Sequence, residues 1–373
     1  MVIVAGEASG DLHGANLVRA MRRLSPGISF AGIGGKKMEG AGVEILVPSS
    51  DMAVVGLTEV FSRFHTIRKA LSRLKTTLKK GRPNLLILID YPDFNLHLAK
   101  TAKRLQVPAL YYISPQVWAW REGRVRKIRR RIDRMAVILP FEEDFYRERG
   151  VSVEYVGHPL LDACPKGLDK KDVALKLGVE GVYPVVGIMP GSRKEEVGNV
   201  LPVMVSAVRI LKERFPSIRC LLPLAETIDD EFVRSFLRDS PVEIDILKGD
   251  VYEALGACDL VLITSGTATL EAAIMGVPMV IVYRVSSFSS WIGKMMIKVP
   301  HIGLVNLVAQ DDVVPELIQN DMTSPRLADE ALSILEDTQK RMLMITALKK
   351  VRESLGTGGA SGRAARIAME LMR

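Results

Sequence analysis

Leu262-Ile263-Thr264-Ser265-Gly266-Thr267-Ala268-Thr269-Leu270-Glu271 decides how this chain is read. The apolar run from Leu260 to Ile263 has the length and composition of a buried strand, and Ala268 to Met275 is helix-forming. A strand that hands over to a helix through Ser-Gly-Thr leaves the first helical N–H groups converging on one spot, with the positive end of the helix dipole behind them. Such a start suits a phosphate. Glu271, about one turn in, would reach a sugar hydroxyl beside that phosphate. The alternative is a plain βα turn in which Thr267 caps its own helix.

Moving upstream, Pro184–Met189 reads as a strand that runs into Pro190-Gly191-Ser192-Arg193-Lys194-Glu195-Glu196. The glycine turn puts Arg193 and Lys194 at a helix start, where fixed positive charge is normally unfavourable. A bound anion there would explain the placement. Cys220–Pro223, Val242–Ile246 and Pro278–Tyr283 read as further strands, and Val313–Gln319 as the start of a helix. Helical patterns run from Arg326 to Ser354. Gly356-Thr357-Gly358-Gly359 breaks them before a final helix, Arg363–Met372.

The first half follows the same scheme, short apolar strands alternating with amphipathic helices, as in a parallel sheet covered on both faces. Val2–Ala5 opens it. The glycine-spaced segment Gly6 to Gly14 reads as a loop without dinucleotide-fingerprint spacing, followed by a helix with Leu17, Met21 and Leu24 on one face. Ile28–Ile33 is the next strand. Asn84–Asp90 is a buried strand closing on a carboxylate, followed by Tyr91-Pro92-Asp93-Phe94-Asn95. Ligands of open α/β sheets bind at the carboxyl ends of strands, so Asp90 is the preferred general base and Asp93 the alternative, with helix capping the other role for Asp93. Pro108–Ile113 leads to Ser114-Pro115-Gln116-Val117-Trp118-Ala119-Trp120, where two loop tryptophans point to a binding surface. After strands at Met135–Leu139 and Val153–Val156, Gly157-His158-Pro159 offers His158 as an acid or base, or as a strand-end hinge. Pro159 to Gly167 reads as a linker.

At 373 residues the chain is long enough for two domains. The economical architecture is α/β, two facing Rossmann-like domains with a cleft between them. They span 1–160 and 161–350, and 351–373 holds a helix that either crosses back to the first domain or swaps to a partner. The net charge of +8 favours anionic partners. Eight basic residues, Arg126 and Arg130 among them, crowd residues 121 to 134. No nucleic-acid-binding motif accompanies them, so an anionic membrane surface is expected and nucleic acid is not. The helical stripe through Val54, Val55, Leu57, Phe61 and Phe64 reads either as core or as a lipid-facing surface, and so does the stripe containing Phe288 and Trp291. The chain opens on a strand, not a signal peptide, and no apolar run reaches the ~18 residues of a spanning helix. Three scattered cysteines, Cys164, Cys220 and Cys258, fit a reducing cytoplasm. No D-x-D pair, H-E-x-x-H or Cys/His cluster appears, so no catalytic metal or other cofactor is expected.

These pieces together resemble the lipid-A-disaccharide synthase family from end to end. The matching motifs are Ala5-Gly6-Glu7-Ala8-Ser9-Gly10-Asp11, Asp90 to Asn95, Ser114 to Arg121, Gly157-His158-Pro159, Pro190 to Arg193 and Ser265 to Glu271. The resemblance implies a GT-B glycosyltransferase fold with an acceptor- and membrane-binding first domain and a nucleotide-sugar-binding second domain. It implies condensation of UDP-2,3-diacylglucosamine with 2,3-diacylglucosamine 1-phosphate to the β(1→6) disaccharide phosphate and UDP, with inversion and without a metal. Asp90 would then deprotonate the acceptor 6-hydroxyl, with Asp93 the alternative, and Arg193 would stabilise the leaving diphosphate. Gly191, Ser192, Ser265, Gly266, Thr267 and Glu271 would hold UDP. Gly6, Glu7, Ser9, Gly10, Asn95, Ser114, Trp118, Trp120 and His158 would line the acceptor side. The basic helix and the two apolar stripes would face acyl chains and the inner face of a Gram-negative inner membrane, from the cytoplasm. A homodimer through the C-terminal helix is one expectation. A UDP-sugar 2-epimerase, a peptidoglycan N-acetylglucosaminyltransferase and a non-catalytic membrane-binding module are the rivals.

Overall fold

The computed structural model describes the chain apart from residues 53–56, 121, 166, 239, 250, 285–299 and 373, and apart from the side chains of residues 8, 57–64 and 120. Two units emerge: Met1–Pro159 with Leu355–Arg373, and Leu160–Ser354. Each is an all-parallel sheet flanked by helices, the two-Rossmann α/β plan of the GT-B fold.

In the first unit the strands are β1 (Val2–Ala5), β2 (Phe30–Gly34), β3 (Val43–Pro48), β4 (Leu86–Ile89), β5 (Ala109–Tyr112), β6 (Arg134–Val137) and β7 (Val153–Tyr155), in the spatial order β3-β2-β1-β4-β5-β6-β7. Strand alternation splits the core into two layers. Val2 and Val4 face one, with Leu74, Leu78, Leu98 and Tyr111. Ile3 and Ala5 face the other, with Leu17, Met21 and Tyr112. Such strands are buried on both faces, which is why they read as unbroken apolar runs. The helix Ala360–Glu370 adds Ala364, Ala365, Ile367 and Ala368 to that second layer. Its Arg363 donates from Nε to the Val156 carbonyl at 2.8 Å.

The second unit contains β8 (Val185–Met189), β9 (Arg219–Leu224), β10 (Glu243–Lys248), β11 (Leu260–Thr264), β12 (Met279–Tyr283) and β13 (Glu316–Ile318), ordered β10-β9-β8-β11-β12-β13. The chain order reverses between β1 and β4 in one sheet and between β8 and β11 in the other. These reversals are where open α/β sheets leave a crevice at their carboxyl edge.

Several local expectations change. Val313–Gln319 is not a helix start: Glu316–Ile318 is the edge strand β13, paired to β12, with the Pro315 carbonyl accepting from Ile281 N–H. Proline and short apolar runs suit an edge strand. The first helix begins at Ala8, so Ser9, Gly10 and Asp11 lie in its first turn and not in a loop. The Asp11 carboxylate accepts the backbone N–H groups of Gly35, Lys37 and Met38 and so satisfies the start of the helix Lys36–Gly40. Leu24 is exposed at that helix's end. Pro92 starts the helix Pro92–Arg104, as its fixed φ and missing N–H allow. The long C-terminal helical pattern divides at Asp337, whose carboxylate accepts the N–H groups of Gln339 and Lys340. Val54, Val55, Phe288 and Trp291 lie outside the described residues. Leu57, Phe61 and Phe64 fall in the helix Leu57–Gly81, their side chains outside that description.

Candidate active site

At the crevice of the first sheet, β4 ends at Ile89 and the chain turns sharply. Asp90 and Tyr91 both take left-handed backbone, φ 43° and 48°. For residues with a β-carbon that costs about 1–3 kcal/mol each and persists only where the surroundings enforce it. The enforcement is visible. The Asp90 carbonyl accepts from Asn95 Nδ2 at 2.6 Å and from Tyr111 Oη at 2.5 Å. Asp90 N–H donates to the Ile113 carbonyl. Tyr91 donates from its hydroxyl to the Met52 carbonyl at 3.1 Å and packs its ring against Gly6.

The elbow leaves Asp90 half-buried. Burial, and after it the Glu7 carboxylate, lift its pKa to about 6, against the lowering influence of the Tyr91 N–H. A carboxylate of that basicity is suited to take a proton from a hydroxyl as that hydroxyl attacks. Asp93 differs: it is exposed in the first helical turn, bound to Arg124 Nη2 at 2.5 Å. That ion pair engages its carboxylate away from the elbow, so Asp90 stays the preferred base. Of the acceptor-side residues, Gly6 and Gly10 are buried where the first strand meets its helix, and Glu7 and Ser9 are exposed.

Four expected acceptor-side residues have duties inside the fold. Asn95 is fully buried beneath the elbow and also donates to the Ile89 carbonyl. Trp118 is not a surface tryptophan. It is 9% exposed, donates from Nε1 to Glu142 Oε1 at 3.1 Å and meets Phe141 edge to face. Ser114 is buried and shares a 2.6 Å hydrogen bond with Tyr146. His158 is 3% exposed, and burial, then neighbouring His13, pull its pKa to about 3. Its imidazole is therefore a neutral group at the strand end and no charged acid, and its backbone N–H donates to the Leu355 carbonyl. The side chain of Trp120 lies outside the described residues.

Glu142 and Tyr111 went unnoticed in the sequence. Glu142 is a fully buried carboxylate that accepts from Trp118 and from the N–H groups of Ile138 and Leu139. Burial nevertheless raises its pKa to about 7. Only the proline at a helix start with an acid two residues on hinted at it, and that pattern ordinarily marks a surface turn.

In the second unit both anion candidates sit at the crevice between β8 and β11. Gly191 follows β8 with φ 109°, and Arg193 is the N-cap of Lys194–Arg214. Arg193 is exposed, paired with Glu196 at 3.1 Å, and Ser192 accepts from Thr227 Oγ1 at its carbonyl. After β11, Gly266 is the N-cap of Thr267–Met275 and no side chain caps that helix, so Thr267 does not play the capping role. Ser265 donates to the Ile302 carbonyl. Glu271 accepts from Tyr252 Oη at 3.1 Å, and burial raises its pKa while that bond lowers it. Arg126 and Arg130 are exposed on the helix Val125–Arg131, whose Val125 and Ile128 are buried.

Comparison with known proteins agrees with the two-unit α/β fold. The family described as Lipid-A-disaccharide synthetase matches residues 1–368. The lipid-A-disaccharide synthase of Geobacter metallireducens is 49% identical over 372 residues, spanning 100% of this chain and 97% of the relative. Among solved structures, the glycotransferase of kitacinnamycin aligns with a TM-score of 0.66 at 15% identity, over 100% of this chain and 98% of its own. MurG of Acinetobacter baumannii aligns with a TM-score of 0.60 at 15% identity, over 99% of each chain. The structural likenesses establish the shared fold. The family match over residues 1–368 and near-half identity across the whole length place the chain in the lipid-A-disaccharide synthase family.

Proposed function

We propose that this member of the family, a glycosyltransferase condensing UDP-2,3-diacylglucosamine with 2,3-diacylglucosamine 1-phosphate, uses Asp90 as its general base. The observation that carries the assignment is the strained elbow holding a half-buried carboxylate with its pKa near 6. The acceptor 6-hydroxyl attacks the donor's anomeric carbon, Asp90 takes the hydroxyl proton, and the bond from that carbon to the diphosphate oxygen breaks. One displacement inverts the centre and gives a β(1→6) linkage and UDP.

The departing diphosphate carries the negative charge that develops. Arg193 and the uncapped helix start at Ser265, Gly266 and Thr267 supply positive charge and N–H donors for it, and in this reading no metal is required. Gly191 and Ser192 give the diphosphate close backbone approach, and Glu271 accepts the ribose hydroxyls. Glu7, Ser9 and Gly10 lie on the acceptor side near Asp90.

The acyl chains place the reaction at a lipid surface. Among the described residues no helix is long and apolar enough to cross a membrane, and the exposed Arg126, Lys127, Arg129 and Arg130 supply charge for anionic head groups. Peripheral attachment to the inner face of the inner membrane fits those features. A homodimer through the last helix remains part of the proposal. The test is UDP release by purified protein in detergent with EDTA, with both lipid substrates and with the donor alone. Acceptor-dependent release supports the reading. Binding of UDP without any release overturns it, and loss of turnover in EDTA overturns its metal-free form.

A further inference from the structure

We propose that Tyr111 and Asn95 are positioning residues for Asp90, acting through the backbone carbonyl of that residue and not through its carboxylate. The proposal rests on the reading of Asp90 as the base. A buried tyrosine hydroxyl normally finds some acceptor. Here the acceptor is the carbonyl of the residue whose side chain does the chemistry, in a backbone conformation that residue would not adopt unaided.

The geometry is specific. Strand pairing stops at Ile89, so the Asp90 carbonyl is released from the sheet just where the chain enters the left-handed region. Two fully buried donors then fill it from different elements. Asn95 reaches back from the first turn of Pro92–Arg104, its Nδ2 2.6 Å from the Asp90 oxygen and 3.2 Å from the Ile89 oxygen. Tyr111 reaches across from β5, its hydroxyl 2.5 Å away. A carbonyl has two lone pairs, and both are engaged. Rotating Asp90 into an ordinary β or α conformation would swing this oxygen away and strand two buried donors, which is costly. The clamp thus fixes φ, and φ fixes where the carboxylate projects. Glu7, at the N-cap of the first helix, and Tyr111 from β5 are titratable groups whose charges bear on the Asp90 carboxylate, and Tyr91 contributes its backbone N–H.

Tyr111→Phe tests this with the full chain and both lipid substrates. Removing one clamp lets the elbow relax, so kcat should fall roughly 10- to 100-fold, the loss typical of a misplaced catalytic group. KM for the UDP-sugar should stay within about twofold, because donor binding is not involved. The acidic limb of the kcat/KM profile should move to lower pH, as the freed carboxylate gains water. Tyr112→Phe deletes a hydroxyl from the same strand on the opposite layer and should leave kcat and the limb in place. If Tyr111→Phe only lowers the melting temperature, with kcat per folded molecule and the acidic limb unchanged, the positioning role is wrong. Asp90→Asn separates the two ideas. An active Asp90→Asn overturns the base assignment, whereas an inactive one beside an unaffected Tyr111→Phe overturns only the clamp.

Discussion

A β-carbon on Gly6 would lie 2.6 Å from Cγ of Tyr91. The glycine is therefore required by a neighbour's ring and not by its own backbone angles. Gly6→Ala should push the ring aside, break the bond from Tyr91 to the Met52 carbonyl and loosen the elbow. Overpacking of this kind costs about 1–3 kcal/mol. Chemical denaturation should show that loss, and turnover should fall further than the lost stability accounts for.

Asp90→Asn should make the protein more stable while abolishing turnover. The folded pKa of Asp90 is about 6, above its ordinary 3.8. A group raised on folding contributes stability that is full below its unfolded pKa and is lost as pH rises through the folded one. At neutral pH the ionised carboxylate is thus a burden of up to about 3 kcal/mol that the amide removes. Urea unfolding of both proteins should show the gain at neutral pH and its shrinkage as pH falls towards 4. Equal stability at neutral pH would refute the raised value.

Glu142→Ala should cost about 2–4 kcal/mol, because it leaves Trp118 Nε1–H and the Leu139 N–H buried without an acceptor. Tryptophan emission should shift as the ring loses its fixed surroundings. Glu142→Gln keeps one acceptor oxygen and should lose less.

Arg193→Ala should weaken UDP binding by roughly tenfold or more, the scale of a charged hydrogen bond to phosphate. Because Arg193 is exposed, the difference from wild type should narrow in high salt. Unchanged affinity in calorimetric titration would remove the residue from the leaving-group site.

Tyr252→Phe should alter how UDP binding depends on pH. Burial raises the Glu271 pKa and the Tyr252 hydroxyl holds it down, with Cys164 beside the same hydroxyl. If the ionised carboxylate accepts the ribose hydroxyls, affinity falls as pH drops. Losing the tyrosine hydroxyl should move that fall to higher pH.

Strand ends carrying Asp90, Gly191 and Ser265 were legible in the chain because each follows an apolar run buried on both faces. The left-handed turn at Asp90 was not, since neither Asp90 nor Tyr91 is glycine and the forces that hold them come from Gly6, Asn95 and Tyr111. Trp118 misled for a similar reason. Its partner Glu142 lies beyond both the helix Val125–Arg131 and β6, and a carboxylate there reads as surface. Edge strands β3 and β13 are partly exposed, and β13 has only three residues, so their apolar runs are weak beside those of the central strands.

The helix Ala360–Glu370 completes the second core layer of a unit that otherwise ends at Pro159. During synthesis the face formed by Leu17, Val18 and Met21 must wait for the whole intervening unit to be translated, on the order of 10–40 s at ~5–20 residues per second. Throughout that interval a nascent chain presents an apolar groove with no cover. This wait makes the closing helix a checkpoint in biogenesis: a polypeptide truncated before Ala360 would own both crevices in sequence yet emerge with an open flank, sticky to chaperones and prone to proteolysis.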